Sequence, residues 1–99
     1  MSRVVVHIDR DLSDLVPGFL ARKREDAAAI IRAAEISDYG ALASIGHKIK
    51  GEGGSYGLDA VSEIGAAVEQ AAKACDLAAV RQCAQQLAEF LDNLEIVYD

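Results

Sequence analysis

His47 stands in the segment Gly46-His47-Lys48-Ile49-Lys50-Gly51-Glu52-Gly53-Gly54-Ser55-Tyr56-Gly57, and a neutral imidazole is a good nucleophile near neutral pH. Its attack on a phosphorus centre gives a phosphoramidate, whose labile P–N bond can pass the group onward. At about 100° per residue, Leu42, Ile45, Ile49 and Tyr56 share one arc of a helix, an apolar stripe suited to burial. His47, Lys50, Gly51 and Gly54 gather on nearly the opposite side, joined by Ala43 and Gly40. The ring is therefore expected in solvent, with the Lys50 ammonium beside it on the helix surface. Phosphoryl transfer depends chiefly on positioning and charge stabilisation, and a lysine next to an accessible ring supplies both. Each interior glycine costs about 1 kcal/mol of helix stability relative to alanine. Several on one face break a local rule, which points to close approach by another macromolecule.

The parts of a self-sufficient enzyme are missing from the sequence. No glycine-rich phosphate loop ends in Lys-Ser/Thr, so nucleotide binding has no support. A serine or cysteine nucleophile with a base and an orienting group cannot be assembled from His7 and His47. Nor do these two histidines form a ligand-spaced pair for a metal. No cofactor is expected on the chain itself, and His7 is given no role.

Composition narrows the class. The 99 residues carry a net charge of −6, are 52% hydrophobic and only 5% aromatic, and include a single proline. Alanine and leucine supply most of the apolar count and favour helix over sheet. The acidic balance argues against a general nucleic-acid binder. No apolar run approaches the ~20 residues of a membrane span, and the amino terminus lacks the pattern of a signal peptide. The expectation is one domain, cytoplasmic and monomeric, with Cys75 and Cys83 as buried small hydrophobes.

The histidine must be positioned by helices. Residues 1–8 read as a short β-branched arm, and Asp9 or Asp11 can cap the first helical segment after it. Leu12, Leu15, Val16, Phe19, Leu20, Ala27, Ile30, Ile31 and Ala34 keep a helical phase that Pro17 interrupts. A short helix before a longer one, or one kinked helix, would satisfy that pattern. Arg22-Lys23-Arg24, followed by Glu25 and Asp26, reads as a solvated face. Ser37 or Asp38 can cap the histidine helix, which should run over about residues 38–54. Asp59 is expected to cap a third helix with Val61, Ile64, Gly65, Val68, Ala72 and Cys75 on one face. Asp76 is expected to cap a fourth, in which Leu77, Val80, Ala84, Leu87, Leu91, Leu94 and Tyr98 alternate spacings of three and four. The predicted fold is all-α: an antiparallel four-helix bundle over residues 9–98 behind the arm.

His47-Lys48-Ile49-Lys50-Gly51, continued by Gly54-Ser55-Tyr56-Gly57-Leu58, resembles the signature of histidine-containing phosphotransfer (HPt) domains. The resemblance implies that His47 accepts a phosphoryl group from, and donates it to, an aspartate on the receiver domain of a response regulator. It implies that Lys50 supports the phosphoryl group and that Gly51 keeps the ring accessible. In similar domains a polar side chain of the next helix orients the imidazole, and the matched motif puts Glu69 there, with Gly65 allowing close helix approach. A carboxylate at that position favours a proton on the ring nitrogen facing it. Gly51, Gly54, Lys48 and Ala43 are the implied docking face. Glu52 is a departure, expected at the bundle edge beside Lys48. The implied partners are receiver domains and a hybrid sensor histidine kinase. The chain is then a phosphocarrier, and the receiver completes the chemistry with its own Mg2+. The other class to be weighed is a helical-bundle module that binds a receiver or kinase without transferring phosphate.

Overall fold

The computed structural model describes residues 3–99, so the first two residues of the predicted arm lie outside the described part. Strand β1 (Val4–Ile8) leads through a 3-10 turn (Arg10–Leu12) into α1 (Val16–Glu35). Helix α2 (Tyr39–Gly53), a second 3-10 turn (Gly54–Tyr56), α3 (Asp59–Lys73), α4 (Leu77–Asn93) and strand β2 (Leu94–Tyr98) follow. Four helices dominate the chain, as expected. The core between them is formed by side chains such as Phe19, Ile30, Leu42, Ile49, Val68 and Leu87, all fully buried. Each large side chain of this kind contributes about 1.5–3 kcal/mol by leaving water.

The chain is mostly helical, as expected, but its two ends are not. Its arm pairs in parallel with β2, Val4 opposite Leu94 through Ile8 opposite Tyr98, and α4 stops at Asn93. Positions 94 and 98 are four apart, so they stay in phase with a bundle seam and equally with a strand of period two. Ile96 and Val97 between them favour the strand, and the partner that stabilises it lies at the far end of the sequence.

Pro17 stands in the first turn of α1, where the missing N–H had no intrahelical acceptor to lose. It therefore starts the long helix, and Asp9 caps the 3-10 turn ahead of it by accepting from the Asp11 N–H. Leu15 and Ile31, expected in the core, are about half exposed (55% and 46%). Ile30 occupies the inward position, and its neighbour in sequence cannot share it.

Two of the three helix joints use one device. The Ser37 and Asp38 N–H groups donate to the Ala34 and Ala33 carbonyls, and those of Cys75 and Asp76 donate to Ala72 and Ala71. Ser37 (φ 53°) and Cys75 (φ 55°) take the left-handed conformation that closes such a helix end. The next residue, Asp38 or Asp76, then caps the following helix by accepting from the Ala41 or Ala79 N–H. Cys75 is consequently exposed, not buried, whereas Cys83 is buried and burial raises the pKa of its thiol. Asp59 is the first residue of α3 and not its cap; Leu58 holds that position without a side-chain bond. The Asp59 carboxylate acts only by its charge near the helix amino terminus.

Candidate functional site

The site is built on the crossing of α2 and α3, the most extensive contact between elements. Backbone meets backbone there. A Cβ added to Gly46 would stand 2.6 Å from the Glu69 nitrogen and 2.8 Å from the Gly65 carbonyl oxygen. One on Gly65 would run into the Lys50 nitrogen and stand 2.8 Å from the Gly46 oxygen. Glycine at both positions is thus a condition for the helix separation. At the end of α2, Gly53 is closed in the same way by Ser62 and Leu58.

That separation brings Glu69 to the histidine. The residue after Gly46 stands at the rim of the crossing, and the His47 side chain is 75% exposed. Its Nδ1 lies 3.2 Å from Glu69 Oε2, and the Glu69 side chain is only 12% exposed. Lys50 Nζ lies 4.0 Å from Glu69 Oε1 and Lys73 Nζ 3.7 Å from Oε2. One nearly buried carboxylate therefore faces an imidazole and two ammonium groups. With Nδ1 near the carboxylate, Nε2 is the ring nitrogen on the far side from Glu69.

The expected residues His47, Lys50 and Glu69 are brought together. Lys73 is an addition that the sequence reading lacks, although its place four residues after Glu69 is a helix-surface spacing that signals it. A Cβ placed on Gly51 would meet nothing within 4 Å, and on Gly54 only Ser62 Oγ, at 3.9 Å. Both glycines are exposed, while Ala43 is half-buried. The glycines of this region divide into two kinds: Gly51 and Gly54 leave surface open, whereas Gly46, Gly53 and Gly65 let α2 and α3 close.

On its other flank α2 is tied to α1 by charge. Lys23 is completely buried and donates to Asp26 Oδ2 and Glu52 Oε1, each at 2.6 Å. Its ammonium also stands 5.3 Å from the centre of the Phe19 ring, which stacks on Tyr56 at 4.1 Å. Lys48 Nζ donates to Asp26 Oδ1 at 3.2 Å. The Arg22-Lys23-Arg24 run is therefore not a solvated face throughout, and Glu52, one helical turn after Lys48, accepts from Lys23. Arg24 reaches Asp92 and the Leu91 carbonyl of α4. A signal for Lys23 is present in the sequence, since Phe19, Lys23, Asp26 and Ile30 follow one helical stripe.

The model of the Hpt domain family matches residues 14–96. The chain belongs to the Hpt domain family. Hpt domains carry out histidine phosphotransfer in two-component signalling and interact with receiver domains of response regulators or with kinases. No curated protein and no solved structure matches the chain at a significant level. Among the described residues no helix is long and apolar enough to cross a membrane, and no group of His, Cys, Asp or Glu side chains could hold a metal ion.

Proposed function

We propose that this Hpt domain is a phosphorelay intermediate in which His47 exchanges a phosphoryl group with a receiver aspartate. The His47 Nε2 lone pair attacks the phosphorus of the aspartyl phosphate, the N–P bond forms, and the P–O bond to the carboxylate breaks. The aspartate leaves as a free carboxylate, and the proton on Nδ1 stays on the ring, facing Glu69. The positive charge that the ring gains on bonding phosphorus thus develops beside a carboxylate held ready for it. Lys50 turns from Glu69 Oε1 to the phosphoryl oxygens and neutralises part of their charge. Transfer to a second receiver runs these steps in reverse.

The observation that carries this reading is a ring 75% exposed whose Nδ1 lies 3.2 Å from a nearly buried carboxylate. The receiver holds the magnesium and supplies the aspartate. Gly51, Gly54 and Ala43 form the surface on which it settles, with Lys48 at its α1 edge. In this reading the antiparallel bundle is a rigid, monomeric, cytoplasmic support, and a hybrid sensor histidine kinase stands upstream.

Mixing the protein with a phosphorylated receiver and Mg2+ tests it. Acid-labile, base-stable phosphate should appear on the protein and be absent from a folded His47→Gln variant. If His47→Gln regulates the receiver as well as the wild type does, the chain is a binding module that acts by occupancy.

A further inference from the structure

Glu69 can orient His47 only if its own carboxylate is held, and the backbone crossing does not do that. Gly46 and Gly65 place the Glu69 main chain, but the torsions of its side chain remain to be set. Three groups reach the carboxylate, and they are not equivalent. Lys50 Nζ meets Oε1 at 4.0 Å, on the oxygen away from the ring. Lys73 Nζ meets Oε2 at 3.7 Å, the same oxygen that stands 3.2 Å from His47 Nδ1.

Lys73 is also the one of the two lysines that shares a helix with Glu69. It follows Glu69 by one helical turn in the favourable order, acid before base. As the last residue of α3 it has a cation at the negative end of the helix dipole. It stands two residues before the left-handed Cys75 that closes the helix end. Among the described residues Glu69 is the one carboxylate with which it pairs.

We infer that Lys73 is a positioning residue that holds Glu69 Oε2 against His47 Nδ1, so that Nε2 faces the receiver. The inference rests on the phosphorelay reading above and divides the work between two cations. Lys50 leaves the carboxylate for the phosphoryl group during transfer, and Lys73 stays. Without Lys73, the departure of Lys50 leaves Glu69 free to swing out to water and the ring free to turn.

The test uses the full chain as Lys73→Met and Lys73→Arg, with Lys50→Met for contrast. Two readouts are taken: transfer from a phosphorylated receiver over a range of receiver concentrations, and the imidazole 15N signals of His47 at fixed pH. Lys73→Met should fold, since the side chain is largely exposed, and should lower the rate at saturating receiver about 10- to 100-fold with KM unchanged. Its 15N signals should show a smaller share of the Nδ1–H tautomer. Lys73→Arg should recover both properties, and Lys50→Met should slow transfer with the tautomer unaltered. Unchanged 15N signals in Lys73→Met would overturn the inference, as would a change confined to KM, which would make Lys73 a receiver contact. The spectroscopic arm needs no phosphate, so it separates failure of this inference from failure of the phosphorelay reading.

Discussion

Helix α2 is held on its two flanks by opposite means. Against α3 the contact is made of absence: Gly46 and Gly65 remove every side-chain atom so that main chains touch. Against α1 it is made of reach, with Lys23, Asp26, Glu52 and Lys48 spanning the gap by four charged side chains. The glycine flank sets a distance that nothing larger can restore, and the proposed chemistry lies there. The charged flank fixes the helix with groups that can shift a little and still pair. A contact that must place one carboxylate 3.2 Å from one ring nitrogen is built from the part of the chain with the fewest degrees of freedom.

Lys23→Ala should be the most destabilising way to break this comparison. It strips a buried ammonium from two carboxylates, a loss of about 3–5 kcal/mol, which urea unfolding would measure. The molecules that remain folded should still transfer phosphate at a rate close to normal, because His47 and Glu69 are not touched. Gly46→Ala should cost about 3 kcal/mol, since the new methyl meets main-chain atoms that cannot rotate away. Unlike Lys23→Ala, it should also slow transfer in the folded fraction by pushing Glu69 off the ring. Equal transfer rates in these two variants would show that the glycine flank does not position the site.

Gly51→Leu sharpens the contrast between the two kinds of glycine. Its side chain would enter open space, so stability in urea should hold or rise by up to about 1 kcal/mol of helix propensity. Transfer to a receiver should nevertheless fall at least about tenfold, if that surface is where the receiver settles. Lys48→Ala should have the smallest effect, less than about 1 kcal/mol, because its side chain is 54% exposed and such pairs are screened. Should its transfer rate drop while stability is kept, Lys48 serves the docking face more than the α1 flank.

The helices and the exposure of His47 are legible in the sequence because local rules identify them. Asp38 and Asp76 cap the helices that their positions predict, the stripe through Leu42 and Ile49 is buried, and the opposite side carries His47 into solvent. Lys23 departs from expectation because a basic run beside Glu25 and Asp26 suggests water, although its helical phase lies with Phe19 and Ile30. The end of α4 departs from it because Leu94 and Tyr98 suit either period. Which one the chain adopts depends on β1, about ninety residues away along the chain.

The chain's own order of residues determined that His47 stands with Lys50 on the solvent side of a capped helix, since helical phase is a local property. Tertiary structure alone decided how near Glu69 Oε2 comes to His47, and that two glycines on different helices meet. Spacing along one helix cannot state how near another helix comes. That distance is set by the atoms that are missing where the two main chains touch.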